Sequence, residues 1–326
     1  MVNSTNMLKK IYVFLPLVIF FHTSCVENII FIQVYPDGQT YFKFISRGDS
    51  TDINDQDFRH PFKDDITVYS SSHITKTDSV WKITTEAIYQ DSIFVFKPEN
   101  SLGFSFIRTE ENTSLSSVYN CNIEFIGRAI KNNYPLLYEA LINKKLDSLE
   151  WLPEALTSII NQSLIDLEND TTKNNFKTNR GRLVNHFKNA FARIKSFEDL
   201  KAIQKNRLEY ITATLKPFKI NNQFCINLAE RMKVHEDYLK SSLDLKDDTF
   251  VLKLILPGQV LSTNSMSINQ DTLVWKFGLD SLLNENYVLS SNSVIYSKKK
   301  IQKTSILLVA FLLIFGILLI GKEKKV

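Results

Sequence analysis

The 326-residue sequence contains little glycine or proline, few cysteines and almost no surplus charge of either sign. Nine glycines and eight prolines exclude a collagen-like or low-complexity chain, and 23 phenylalanines indicate a buried core. The formal net charge is only +4, and six of the lysines flank a C-terminal apolar run: Lys298, Lys299, Lys300, Lys322, Lys324 and Lys325. Without these lysines the chain is close to neutral, so we expect no nucleic-acid partner.

The sequence also lacks the short motifs on which common active sites are built. It has no Gly-x-Ser-x-Gly elbow, no His-Glu-x-x-His pair and no phosphate-binding glycine loop. No histidines stand at the spacing of metal ligands, so the sequence predicts no metal site, no cofactor and no enzyme. A hydrolase or transferase whose site combines distant residues, such as an acid pair with His60 or His73, remains an alternative.

Cys25 closes an N-terminal segment that resembles an export signal. A basic segment at residues 7–10, with Lys9 and Lys10, precedes the apolar run Ile11–Phe21. This run is too short to span a bilayer and is typical of a signal peptide. Ser24 directly before Cys25 is similar to the cleavage motif of bacterial lipoproteins, in the loose form found in Bacteroidota. We therefore expect residues 1–25 to act as a lipoprotein signal and Cys25 to be lipidated. An ordinary cleaved signal or an uncleaved anchor is the alternative.

The other two cysteines, Cys121 and Cys225, lie far apart in the sequence. In an oxidising compartment they can form a disulfide, which would close a loop of about 100 residues and stabilise the fold by roughly 4–5 kcal/mol. Two buried free thiols are the alternative, since free cysteine is among the most buried residue types.

A second membrane signal lies near the C-terminus. Residues 304–321 are largely apolar, and lysines stand on both sides of them. Eighteen helical residues span about 27 Å, enough for the hydrocarbon core of a bilayer. The sequence therefore predicts a transmembrane helix at 304–321 and a cytoplasmic tail at 322–326. With an exported N-terminus, the main domain would lie outside the inner membrane of a single-pass protein, near membrane lipid.

Between the two signals, strand-like and helix-like patterns divide the chain into three parts. Residues 26–127 alternate like β-strands, 128–246 have apolar residues at helical spacing, and 247–298 return to strands. We expect four to six helices in the middle part. Beyond the first hairpin, the strand candidates of the first part are 66–69, 79–84, 92–97, 103–108 and 122–126. The sequence thus predicts an α+β fold, in which a β-rich domain is interrupted by a helical insertion and followed by a transmembrane helix.

One segment of the last part resembles a known family. Pro257 and Gly258 are followed by Asn264 and then by a strand that carries Trp275. This pattern, within residues 250–296, is similar to the closing hairpin of the LppM-type domain of bacterial lipoproteins, which also end in a transmembrane helix. The residues themselves predict a turn at Pro257–Gly258, a bond from Asn264 to its own backbone, and a core position for Trp275.

The resemblance implies an envelope lipoprotein without known catalysis that contacts lipid. The sequence therefore predicts a non-catalytic extracytoplasmic module that binds lipid, a peptide or an envelope protein. The alternatives are an accessory subunit of an inner-membrane complex and a hydrolase with a scattered site. An apolar pocket without converging titratable groups would favour the binding module, whereas paired carboxylates or a His–Asp pair in a cleft would favour an enzyme.

Overall fold

A computed structural model describes residues 26–50, 57–61, 69–77, 80–170, 179–194 and 196–323. The signal segment and Cys25 lie outside the described residues, and so does the end of the tail at 324–326. The described part folds into two β-sheets and eight α-helices, so the prediction of a mixed α+β fold is confirmed.

Sheet A has seven strands, which are β1 (Val26–Val34), β2 (Thr40–Gly48), β3 (Tyr69–Thr77), β4 (Val80–Tyr89), β8 (Asp248–Ile255), β10 (Ser267–Asn269) and β11 (Thr272–Phe277). Their order across the sheet is β10-β11-β8-β1-β2-β4-β3. All neighbours are antiparallel except β1 and β8, which run parallel from the pair Val26 and Asp248 onward. The last part of the chain therefore completes a sheet that the first part begins.

Sheet B has five strands, which are β5 (Ile93–Phe96), β6 (Phe104–Asn112), β7 (Ser116–Phe125), β9 (Gln259–Thr263) and β12 (Tyr287–Tyr296). Their order is β5-β6-β7-β12-β9, and every pair is antiparallel. After β8 the chain alternates between the sheets, because β9 and β12 belong to sheet B while β10 and β11 belong to sheet A.

Phenylalanine fills the space between the two sheets. Phe42 of β2 meets Phe106 of β6 edge to face, with ring centroids 5.3 Å apart. The ring centroids of Phe125 of β7 and Phe277 of β11 are 4.8 Å apart. These rings are buried, and such aromatic pairs contribute about 0.5–1.5 kcal/mol each beyond the area that they bury.

The helices between β7 and β8 are α1 (Ile130–Asn133), α2 (Pro135–Ile142), α3 (Leu152–Asn169), α4 (Arg180–Phe191), α5 (Phe197–Lys205), α6 (Arg207–Leu215) and α7 (Asn222–Asp244). Local sequence explains several of their starts. Proline occupies the first turn of α2 and α3, where its missing N–H costs nothing. Ser196 and Asp199 form a reciprocal capping box at α5, and Asn221 caps α7 through the Phe224 N–H.

The helical insertion shares one continuous buried core with the sandwich. It returns to the sheets through the short 3₁₀ turn Leu245–Asp247 before β8, and a second 3₁₀ turn, Leu279–Leu282 between β11 and β12, lies against the first. Arg128 strengthens the junction, since its backbone N–H donates to Leu282 O at 2.8 Å and its guanidinium lies 5.2 Å from the Tyr238 ring.

The C-terminal helix α8 (Lys298–Glu323) corrects one prediction. Four lysines occupy its first two turns, and its side chains are described only as far as Gly316. Within the described ranges, no helix is both long and apolar enough to cross a membrane. The predicted transmembrane helix at 304–321 is therefore wrong for the chain as the structure describes it, and the single-pass placement that depended on it is withdrawn.

The start of α8 is fastened to the turn between β6 and β7. Lys300 Nζ donates to Asn112 Oδ1 at 2.7 Å, to Ser117 Oγ at 3.1 Å and to Ser116 O at 3.2 Å. Thr304 Oγ1 donates to Ser114 O at 3.0 Å. The direction in which α8 leaves the sandwich is thus set by polar contacts with this hairpin.

Candidate functional site

The structure brings Pro257, Gly258, Asn264 and Trp275 together where the chain passes between the sheets. Gly258 has a φ of +83°, and a Cβ there would collide with the Val294 carbonyl oxygen of β12. Pro257 O accepts a hydrogen bond from the buried Ser293 Oγ at 2.8 Å. This turn therefore brings the backbone of the chain directly against β12, which only glycine permits.

Asn264 joins the two sheets. Its Oδ1 accepts from Trp275 Nε1 at 3.0 Å and from the Ser290 N–H at 2.9 Å, and its Nδ2 donates to Val288 O at 2.9 Å. Trp275 is only 1% exposed. The side chain of Asn264 thus bonds the backbone of β12 rather than its own. These residues hold the sandwich together and do not form a ligand site.

Cys121 and Cys225 are both free and buried in the structure. Cys121 lies on β7, whereas Cys225 lies in the first turns of α7. Of the two alternatives that the sequence left open, the structure thus has two separate thiols. Burial raises the pKa of the Cys121 thiol far above its usual value, so this group is an inert core side chain.

His60 lies in a buried hydrogen-bonded chain at one end of sheet A. Its Nε2 is 2.9 Å from Ser46 Oγ, and its Nδ1 is 3.0 Å from Thr85 Oγ1. Ser46 Oγ also donates to Asn28 Oδ1, and Asn28 Nδ2 donates to Asp248 Oδ2 at 2.8 Å. All five side chains are buried. A serine beside a histidine is the arrangement that nucleophilic catalysis requires, so the direction of these bonds decides its chemistry.

The Asn28 amide fixes that direction. Its nitrogen faces the Asp248 carboxylate, so its oxygen faces Ser46 and can only accept. Ser46 therefore donates to Asn28 and accepts from His60 Nε2. A general base would need a lone pair on Nε2, and here that nitrogen carries the proton. With the proton on Nε2, the five hydrogen-bonded side chains form a structural network, and Ser46 is not activated as a nucleophile.

The other histidines that the structure describes, His73, His186 and His235, do not build a site with each other. His73 is exposed on β3, and His186 Nε2 is 2.8 Å from Thr214 O between helices. His235 Nε2 lies 2.8 Å from Asp166 Oδ2, which ties α7 to α3 beside a second ion pair of the same two helices. Neither described cleft has any of these histidines in its lining. Among the described residues, no group of three metal-ligating side chains converges.

A cleft lies where the helical insertion meets the end of the sandwich. This junction cleft has a volume of about 1550 Å³ and is bounded by α1, α2, the two 3₁₀ turns and the ends of β8 and β11. Its apolar side chains include Tyr138, Leu141, Ile142, Phe277, Leu279 and Leu283. Such boundaries between structural units are frequent binding sites.

The charges of the junction cleft are nearly balanced. Its lining has four lysines and five carboxylates, and neither histidine nor cysteine. Asp248 is the one carboxylate that also belongs to the buried chain of His60. The cleft therefore offers an apolar floor with polar groups of both signs.

Two polar side chains at the junction have buried atoms that make no hydrogen bond to the residues that the structure describes. Asn284 lines the cleft, and its Oδ1 is buried without a hydrogen bond. Arg128 is 3% exposed, and its Nε and Nη2 donate no hydrogen bond. A buried polar group without a hydrogen bond lowers the free energy of unfolding by about 1–3 kcal/mol. A ligand that supplies the missing donor or acceptor would therefore stabilise this part of the structure.

A second cleft, of about 980 Å³, lies between α6 and the start of α7. Lys205, Lys216 and Lys219 stand around it, together with Arg207 and Glu209. Arg207 is already paired with the buried Glu236 of α7. The lysines are exposed, so this cleft is a solvated basic surface with little enclosure.

Sequence reasoning missed the junction cleft because its lining comes from five separate segments of the chain. Each segment reads as a helix end or a turn, and no local spacing joins them. The sequence contained one signal of the cleft. A short stretch between two strands is rich in polar and turn-forming residues, which are Gly278, Asp280 and Asn284.

Comparison with known proteins adds little to this geometry. No family model matches the chain, and no curated protein matches it. The NMR structure of the folded domain of Mycobacterium tuberculosis LppM matches at 7% identity, covering 86% of this chain and 96% of that one, with a TM-score of 0.30. A likeness at this level supports no conclusion about fold or function, so the LppM-type resemblance remains a prediction.

Proposed function

We propose that this protein is a non-catalytic binding module of the bacterial envelope and that the junction cleft holds an extended segment of a partner protein. The observation that carries the proposal is the lining of the cleft: an apolar floor, nearly balanced charges, and neither histidine nor cysteine. Small-molecule sites usually measure about 300–1,000 Å³. A cleft of about 1550 Å³ suits a longer ligand, and side chains of both signs suit a polypeptide.

The hydrolase alternative has less support. In the contact of the buried Ser46 with His60, the proton lies on the nitrogen that a base would need free. The His235–Asp166 pair joins two helices outside both clefts. What remains in the junction cleft can bind and orient a ligand but has no activated nucleophile.

Placement in the envelope depends on Cys25, which lies outside the described residues. We propose that Cys25 is acylated and holds the module against membrane lipid. Mass spectrometry of the mature N-terminus tests this placement. A lipid-modified Cys25 at the N-terminus is the expected result, whereas an unmodified N-terminus at Val26 or upstream of Cys25 contradicts it.

Photo-crosslinking in cells tests the junction cleft. A benzophenone side chain replaces Ile142, which lines the cleft and is 55% exposed. The matched control replaces Ile93 of β5, which is 57% exposed on the opposite sheet. We expect peptide adducts from a partner protein at position 142 and none at position 93. Asn284→Ala should lower the yield at 142, while Asn122→Ala on β7 should leave it unchanged.

The nature of the adducts decides between the candidate functions. Lipid adducts alone would show that the ligand is a lipid and not a polypeptide. Equal adduct yields at positions 142 and 93 would show that the cleft is not a binding site. A partner peptide that is cut at one fixed bond would instead support the hydrolase.

A further inference from the structure

The outer face of sheet A is unusually apolar for a surface that faces solvent. Residues 29–32 of β1 read Ile-Ile-Phe-Ile, so this strand is apolar on both sides. Ile30 and Ile32 are fully buried between the sheets, whereas Ile29 and Phe31 are half-buried on the outer side. Strands β2 and β8 continue the outer patch, which consists of Ile29, Phe31, Tyr41, Ile45, Val251 and Ile255.

Nothing in the described part of the chain packs broadly over this patch. Helices α1–α7 have their principal neighbours among one another and in the turns Leu245–Asp247 and Leu279–Leu282, and not in the strands of sheet A. Sheets with one solvated face normally alternate apolar and polar residues, whereas continuous apolar strands belong to sheets that are covered on both faces. The central part of β1 thus has the composition of a strand that is covered on both faces.

The charged residues around the patch favour a negatively charged occupant. Lys43 forms an ion pair with Glu86 at 2.6 Å, and Arg47 forms one with Glu27 at 3.5 Å. Both acidic residues on the outer side of these strands are therefore already paired. Lys82 of β4 and Lys253 of β8 have no ion-pair partner among the described residues. Unpaired carboxylates on an occupant would complete this arrangement.

We propose that the outer face of sheet A is a docking surface for an amphipathic α-helix of a partner protein, with acidic residues beside its apolar stripe. A helix is the element that packs on an apolar sheet face in two-layer and three-layer folds. The six apolar side chains are half-buried within the sheet and do not project as tips, which disfavours insertion into a bilayer. This surface is distinct from the junction cleft and does not depend on the function proposed for it.

The test combines crosslinking with charge reversal in the full chain. A benzophenone side chain replaces Tyr41 on the patch, and a control replaces Asn122 on the outer face of sheet B. We expect adducts at position 41 that map to a helical segment with Asp or Glu beside an apolar stripe. Lys82→Glu together with Lys253→Glu should lower the yield by about tenfold, equivalent to roughly 1.4 kcal/mol. Lys216→Glu with Lys219→Glu, the same charge change on the basic cleft, should leave it unchanged.

Several results would overturn this proposal. They are adducts with lipid only, adducts within the chain itself, equal yields at positions 41 and 122, or a yield that the Lys82 and Lys253 reversals do not change. Thermal unfolding by circular dichroism checks that both double variants fold. If the Lys82 and Lys253 variant does not fold, salt dependence replaces it: the yield at position 41 in the native sequence should fall as ionic strength rises, and a constant yield would count against a charged interface.

Discussion

Gly258 is the residue at which the structure tolerates least change. Its positive φ and the adjacent Val294 carbonyl leave no room for a Cβ. We expect Gly258→Ala to lower the free energy of unfolding by at least about 2 kcal/mol, because backbone strain and a steric clash act together. Denaturant titration measures the loss. Gly316→Ala is the control, since a Cβ there meets nothing within 4 Å, and an equal loss in both variants would refute the explanation.

Glu236 gives a pH dependence with a defined sign. Burial raises the pKa of this carboxyl group, and the neighbouring Arg207 only partly opposes the shift. The folded protein therefore holds this proton more tightly than the unfolded chain. Its contribution to stability is complete below the ordinary glutamate pKa and is lost as pH rises through the raised value.

Glu236→Gln should flatten this part of the stability profile. Denaturant unfolding between about pH 4 and pH 7 should show stability falling with pH more steeply in the native sequence than in the variant. The opposite sign, with the native sequence gaining stability over that interval relative to the variant, would show that the pair with Arg207 outweighs burial.

At the residue scale, the sequence was most informative where backbone geometry depends on one side chain. Pro257–Gly258 was predicted to turn, and Gly258 has the positive φ that such a turn requires. The sequence did not reveal that Asn264 bonds Trp275 and β12, because that contact depends on which strands become neighbours.

At the scale of elements, the fastening of α8 to the β6–β7 turn can be tested locally. Lys300→Ala removes three hydrogen bonds to Asn112, Ser116 and Ser117. We expect global stability to change by about 1 kcal/mol or less, because the contacts are partly exposed. Amide hydrogen exchange should nevertheless become faster at residues 112–118 and 297–304.

The neighbouring lysine is the control for that prediction. Lys299 is exposed and makes no described hydrogen bond to the turn. Lys299→Ala should leave exchange in both segments unchanged. Equal acceleration in the two variants would mean that the helix end frays for reasons other than the Lys300 contacts.

Strands with apolar alternation were predicted well, and polar strands were not. Gly103–Arg108 lies within one residue of the first half of β6. In contrast, β3 reads Tyr-Ser-Ser-Ser-His-Ile-Thr-Lys-Thr, and only its first residue belongs to the predicted strand 66–69, whose other residues lie outside the described ranges. It is an edge strand, where neither face needs a row of apolar side chains, so periodicity cannot reveal it. The described residues of the middle part form seven helices rather than four to six, because several of them are too short for a clear period.

At the scale of the whole molecule, the free cysteines give a chemical test of the core. Cys121 and Cys225 are buried in different parts of one continuous core. We expect neither to react with N-ethylmaleimide in the folded protein and both to react fully in guanidinium without reductant. Peptide mapping separates them from Cys25. Unlabelled thiols after unfolding would reveal the disulfide that the sequence also allowed.

The α+β class could be predicted because strand and helix patterns change along the chain. The transmembrane helix was predicted from hydropathy alone and failed among the described residues. The junction cleft could not be predicted, since α2, the turn before β8 and the turn before β12 meet only in the folded molecule. Local patterns determine elements, whereas sites made by distant segments require the topology.

The parallel partner of β1 determines when sheet A can be completed. β2 follows β1 directly, but β8, which covers its other edge, is synthesised more than 200 residues later. A chain that leaves a ribosome or an export channel N-terminus first therefore keeps that edge open until nearly the whole domain has emerged. Open edges recruit foreign strands, and such distant pairing is slow. Newly made protein should consequently need a holdase in that interval, and variants that delay β8 should be lost to aggregation or proteolysis before they show a binding defect.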